Sequence, residues 1–185
     1  LFKYVFIFSR YREMAFLNKE VTIDLTDDRG SEPVKKHLHY EGGIRQFVEH
    51  IHQTRGHAPL SNEVIYVSGT QGDSFAEIAL QYNDSYNEII LSFANNIHTK
   101  DGGYHETAFK NSIQRVINDY GKKMGLLKDK EKLSGDDVRE GLTAIISVKL
   151  TECEFEGQTK GRLGNPEGEE LYLLGKLLAL LAYEA

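Results

Sequence analysis

The residues best suited to chemistry stand together near the end of the chain, in Phe155-Glu156-Gly157-Gln158-Thr159-Lys160-Gly161-Arg162-Leu163-Gly164-Asn165. Gln158 offers a directional N–H, Thr159 a hydroxyl and Lys160 an ammonium point charge, a set that suits phosphate oxygens. Gly157, Gly161 and Gly164 let the backbone turn tightly or come close to a ligand. Taken alone, the same composition fits a solvated turn better than a phosphate site. A second candidate is the stripe Lys110, Gln114, Asn118 and Lys122 at helical spacing. It could meet nucleic-acid phosphates without reading sequence, though by pattern alone it is an ordinary solvated helix face. His37 and His39 could share a strand face and bind a metal, but no third ligand accompanies them. His50 and His52 point to different sides of a helix, and Cys153 reads as packed or idle.

Composition narrows the classes. A chain of 185 residues fits one domain, or one domain with an appendage. With 40% hydrophobic and 27% charged residues it can bury a core and is not disordered by composition. Its net charge of −6 and pI near 5.7 are wrong for a domain that grips DNA unaided, so any such contact needs a local cluster of cations. One Cys excludes a disulfide framework and suits a reducing, cytoplasmic setting. No apolar run reaches the ~18 residues that span a bilayer, so no membrane partner is expected. The apolar opening, residues 1–8, lacks the parts of a signal peptide and reads as a chain cut from something longer.

The elements that must position these residues follow from periodicity. Residues 10–18 predict a short helix with Tyr11, Met14, Ala15 and Asn18 on one face, and 21–25 alternate as a strand. The polar stretch 27–33 is the best candidate linker. Residues 36–40 predict a strand, and 43–54 an amphipathic helix carrying Ile44, Phe47, Val48 and Ile51. Runs at 64–68, 75–82 and 89–94 predict strands in meander order and an antiparallel sheet. Asp101-Gly102-Gly103 opens the longest helix, 104–124, with Phe109, Ile113, Val116, Ile117 and Tyr120 facing the core. Ser134-Gly135-Asp136-Asp137 has capping-box spacing before a short helix through Val138, Arg139 and Leu142. A continuous apolar strand, 144–148, precedes the Gln158 loop, and a Leu-rich helix is expected from about 167 to 183.

Five blocks in register carry a family resemblance: Phe16-Leu17-Asn18; Tyr40-Glu41-Gly42-Gly43-Ile44; Ala94-Asn95-Asn96-Ile97 ahead of Asp101-Gly102-Gly103-Tyr104-His105-Glu106; the stretch from Ser134 to Leu142; and Phe155-Glu156-Gly157-Gln158-Thr159-Lys160. Over roughly residues 10–166 they resemble the B subunits of bacterial DNA gyrase, and nearly as well those of topoisomerase IV.

The resemblance implies an α+β transducer domain with a ribosomal-protein-like fold, a left-handed βαβ crossover and a mainly antiparallel sheet packed by helices. It implies residues 1–32 as the end of a GHKL ATPase domain, 33–166 as the transducer and 167–185 as a terminal helix. It assigns Gln158 and Lys160 to the γ-phosphate of ATP, with Lys160 as the catalytic member. It places Lys110, with Gln114 and Lys122, against double-stranded DNA. ATP and Mg2+ in the complete protein, a gyrase A subunit and a second B subunit are the cofactors and partners it implies. The fragment alone is expected to be inactive, and its metal ligands lie elsewhere. A stand-alone structural or interaction module of the same fold remains the alternative. Two places depart from the family: Tyr104 stands where a small hydroxyl residue is usual, and the stretch from Leu171 to Leu181 is far more apolar than expected.

Overall fold

A computed structural model describes residues 3–164 and 174–179. Its centre is β7 (Leu142–Lys149), every residue of which is buried except the last. Residues 142, 144, 146 and 148 face one core and Ile145 the other, which is why the strand reads as continuously apolar instead of alternating. Around it lies a five-stranded sheet in the order β3 (Ile65–Gln71), β4 (Ser74–Tyr82), β7, β5 (Ile89–Ala94), β6 (Ile97–His98). The β3–β4, β4–β7 and β5–β6 pairs are antiparallel and β5–β7 is parallel.

The simple meander is therefore not formed. β4 and β5 are consecutive in the chain, yet β7 sits between them. The strand with two apolar faces takes the position where both faces are covered, and local order yields to burial. The parallel β5–β7 pair requires a long crossover, supplied by α3 (Tyr104–Lys123) and α4 (Gly135–Arg139).

One face of the sheet packs on α3 through Phe109 and Ile113, which meet Ala76, Ile78, Leu80, Ala144 and Ile146. The other packs on α2 (Gly43–Arg55), where Ile44, Phe47, Val48 and Ile51 meet Ala79, Phe93 and Ile145. Each fully buried Leu, Ile or Phe contributes on the order of 1.5–3 kcal/mol. Gly56, left-handed at φ 68°, ends α2.

The first helix is longer than its pattern predicts and uses a different face. α1 runs Tyr4–Leu17, and its buried residues are Ala15, Phe16 and Leu17, while Tyr11 is exposed. Phe16 decides this: its ring stacks on Tyr40 at 3.7 Å and on Phe47 at 4.6 Å. The polar stretch expected as a linker at 27–33 supplies, in residues 28–33, the loop of a hairpin, because β1 (Ile23–Asp27) pairs antiparallel with β2 (Val34–Leu38).

The Ser134 capping box forms in both directions, but Leu142 belongs to β7 and not to α4. Residues 174–179 are helical, with Leu174, Leu177 and Leu178 buried in the α3-side core. The rest of the expected Leu-rich helix, and the boundary at 166/167, lie outside the described residues.

Candidate functional site

The Gln158 loop is the tip of a small hairpin. β8 (Phe155–Glu156) pairs with β9 (Arg162–Leu163), and Glu156 and Arg162 are bridged at 3.3 Å. Gln158, Thr159 and Lys160 are all exposed at the turn. Lys160 holds φ 53°, a left-handed conformation uncommon for a residue with a side chain. Its N–H reaches the Gly157 carbonyl at 3.4 Å, and its ammonium lies 5.7 Å from the centre of the Phe155 ring.

The base of the hairpin is fixed. Leu163 is fully buried in the α3-side core. Its N–H donates to the Gly102 carbonyl at 3.2 Å, and the Asp101 N–H donates to the Gly161 carbonyl at 2.8 Å. Here the Asp101-Gly102-Gly103 turn shows its use. Gly103, with φ 150°, lies so close to β9 that a Cβ there would sit 2.7 Å from the Leu163 carbonyl oxygen. At Gly161 a Cβ would run into an Asp101 carboxylate oxygen. The turn that starts the longest helix is thus also the seat of the hairpin.

Thr159 borders an open groove of about 370 Å³ between α1 and β6, with Ser9, Arg10, Glu13, His98 and Lys100 on its walls. Arg10 is held by Glu13 at 3.2 Å and by the Asn96 carbonyl at 2.8 Å. Burial pushes the His98 pKa down.

The stripe on α3 does not form a solvated row. Asn118 is 5% exposed and bonded on both sides of its amide to Leu133: its Nδ2 donates to the carbonyl at 3.2 Å and its Oδ1 accepts the N–H at 2.8 Å. Gln114 donates to the same carbonyl at 3.1 Å. These two amides brace the loop after α3. Lys110 is clamped between Glu106 at 3.0 Å and Glu88 at 3.1 Å. Burial works against its charge, but the two carboxylates outweigh it and raise its pKa. Lys122 is exposed, with no ion pair among the described residues.

The chain of contacts through Lys110 was not legible as a unit. Arg139 bonds Glu88 at 2.6 Å and Asp136 at 2.9 Å. Glu106 accepts from Ser92 Oγ at 2.8 Å, and Ser92 Oγ lies 2.8 Å from Thr99 Oγ1. Thr99 Oγ1 is 3.0 Å from His105 Nε2, and His105 is fully buried with its Nδ1 unpartnered among the described residues. Burial lowers the His105 pKa to about 4, with Glu106 opposing the shift. Only the Glu106–Lys110 pair, four apart on α3, and the Asp136–Arg139 pair, three apart on α4, had a signal in the sequence. His37 bonds Asp24 at 2.7 Å. Among the described residues no group of three His, Cys, Asp or Glu could hold a metal, and no helix is long and apolar enough to cross a membrane.

A family model described as DNA gyrase B matches residues 43–173. The DNA gyrase B protein of Clostridium acetobutylicum is 55% identical over 160 residues, covering 85% of this chain and 24% of its own. The corresponding B protein of DNA topoisomerase 4 from Enterococcus faecalis is 48% identical over 168 residues, covering 89% of this chain and 24% of its own. In fold, the 43K ATPase domain of Thermus thermophilus gyrase B, solved in complex with an aminocoumarin, aligns with a TM-score of 0.83 at 34% identity, over 99% of this chain and 48% of that one. The chain spans about a quarter of the length of these two curated relatives.

Proposed function

This chain belongs to the DNA gyrase B family, and we propose that it is the transducer segment of an ATP-dependent type II DNA topoisomerase, coupling ATP hydrolysis to passage of one DNA duplex through another. The observation that carries this is the exposed Gln158-Thr159-Lys160 tip on a base fixed by Leu163. A side chain that must reach into another domain has to be free at its end and rigidly footed at its root. Gln158 and Lys160 contact the γ-phosphate of ATP. At about 4 Å and an effective dielectric near 20, one ammonium and one phosphate charge interact by roughly 4 kcal/mol. The same charge stabilises the phosphoryl transition state, which makes Lys160 the catalytic member. Hydrolysis removes the charged partner, the tip loses its tether, and the domains on either side are released to rotate.

In this reading residues 1–32 end the ATPase domain, 33–166 form the transducer and 167–185 are the Leu-rich segment that follows. The nucleotide and Mg2+ are held mainly by the remainder of the full-length protein, so the segment alone does not turn over ATP. The partners are double-stranded DNA, the gyrase A subunit and a second B subunit, in the cytoplasm. From α3, DNA is met by Lys122; Lys110 can take part only by giving up Glu88 and Glu106. The match to topoisomerase IV is nearly as close, and a supercoiling assay on the complete enzyme separates the two.

The test is Lys160→Ala in a complete gyrase B protein carrying this segment. ATP turnover is expected to fall about a hundredfold, the size of losing one transition-state donor, while nucleotide binding changes little. Unchanged turnover would overturn the assignment.

A further inference from the structure

We propose that Glu106 is a positioning residue for the Gln158–Lys160 hairpin, acting through the turn on which that hairpin sits. The inference rests on the proposed function for its consequence in the enzyme, but its structural part stands without it.

The Glu106 carboxylate lies under the turn: a Cβ on Gly102 would be 3.5 Å from Glu106 Oε2. That oxygen accepts the Ser92 hydroxyl at 2.8 Å. Ser92 is tied to Thr99 by four contacts: the Thr99 N–H donates to the Ser92 carbonyl at 2.9 Å, Thr99 Oγ1 donates to it at 2.8 Å, the two hydroxyls meet at 2.8 Å, and Ser92 Oγ lies 3.3 Å from the Thr99 carbonyl. The Thr99 carbonyl in turn accepts the Gly102 N–H at 2.9 Å. Both ends of the turn are thereby referred to β5, inside the sheet. The Gly102 carbonyl is then presented to Leu163 N–H, and the Asp101 N–H to Gly161. A shift in the turn becomes a shift in β9, because the Gly103–Leu163 contact leaves no slack.

The other carboxylate oxygen fixes the side chain itself. Glu106 Oε1 is held by Lys110 at 3.0 Å, and Lys110 by Glu88, which Arg139 binds at 2.6 Å from α4. Ser92 is 1% exposed, so if Glu106 is removed no water takes its place; the Ser92 hydroxyl is left to the Thr99 carbonyl and hydroxyl, and β5 and the turn lose their tie to α3. Glu106 thus acts as a bracket between the sheet, α3 and the hairpin's seat. This also explains why Lys110 is drawn inward.

Amide hydrogen exchange of the whole chain, read by NMR, is the test. Glu106→Ala is expected to speed exchange at Asp101 and Leu163 about tenfold or more, the effect of losing a hydrogen bond to a charged group, while Ile146 at the sheet centre stays unchanged. Glu106→Gln, whose carbonyl can accept from Lys110 while its NH2 donates to Ser92 Oγ, keeps both contacts and should return both amides to within about threefold of the parent. Equal acceleration at all sites, or none at Asp101 and Leu163, overturns the proposal. Should Glu106→Ala not fold, Ser92→Ala removes the same bond from the other side and decides by the same two amides. In a complete gyrase B protein, Glu106→Ala should lower kcat for ATP with KM little changed, and Glu106→Gln should restore it. If Lys160→Ala has no effect on turnover while the exchange result holds, the phosphate reading fails and the bracket survives. If Lys160→Ala acts but Glu106→Ala leaves both exchange and kcat unchanged, the bracket alone fails.

Discussion

Replacing Gly103 by Ala tests the seat of the hairpin with a single methyl group. The residue holds φ 150° and ψ −175°, a region open essentially to glycine, and forcing Ala there costs on the order of 1–3 kcal/mol. The new Cβ would stand 2.7, 2.8 and 2.9 Å from the carbonyl oxygen, nitrogen and Cβ of Leu163. Two of those are backbone atoms and Leu163 is fully buried, so no flexible side chain can swing aside. Overpacking of this kind adds about 1–3 kcal/mol. The structure has one escape, which is to lift the hairpin. That exposes Leu163 at about 2 kcal/mol and gives up two backbone hydrogen bonds at about 1 kcal/mol each. The escape relieves the clash but not the strain at residue 103, and at about 4 kcal/mol it is no cheaper than the clash, so strain and overpacking together put the expected loss at about 2–6 kcal/mol, a large share of the roughly 5–15 kcal/mol that domains possess. Urea unfolding followed by circular dichroism gives the loss, and exchange at the Leu163 amide shows whether the hairpin has lifted. A loss below about 1 kcal/mol with Leu163 still protected would refute the packing argument.

Two further outcomes follow from buried polar groups. His105 has a folded pKa of about 4 against an ordinary 6.5, so between these values the unfolded chain binds more protons. Stability should be full above about pH 6.5 and fall by about 3 kcal/mol in all as pH drops to 4, an effect His105→Gln should largely remove from urea midpoints measured between pH 7 and 4.5. His50, His52 and His98 are lowered too and add to the slope, whereas Glu77, raised by burial, opposes it; a midpoint with the same pH dependence in parent and His105→Gln would argue against the assignment to His105. Asn118→Ala leaves the Leu133 N–H without its partner and the Leu133 carbonyl with Gln114 alone, and should cost about 2 kcal/mol, with new protease cleavage in residues 124–133; an uncut loop would show that Gln114 braces it alone.

Local chemistry was legible where neighbours in sequence are also neighbours in space. The α2 core face, the Ser134 capping box and the extents of β4 and β5 are set by periods of 3.6 and 2 and by side chains reaching three residues along the chain. The exposed Gln158-Thr159-Lys160 tip was legible for the same reason, since its glycines and polar residues are contiguous. Other features depend on residues far apart in the chain. The insertion of β7 between β4 and β5 is a choice among pairings that only competition for the centre of the sheet can make. Whether α1 buries Tyr11 or Phe16 depends on Tyr40 and Phe47 waiting across the interface. Gly103 and Leu163 are remote in the chain, and nothing in either local pattern says that one excludes a side chain on the other. The fate of Lys110 was decided likewise. A lysine on the polar face of a helix reads as solvated, and only the fold brings Glu88 from another element within 3.1 Å. Sequence alone determined the main helices and strands, though not the start of α1 or the short β6, β8 and β9, and which loop carried groups suited to phosphate. Tertiary structure decided which charges remained available, because a charge is silenced by whatever packing brings beside it.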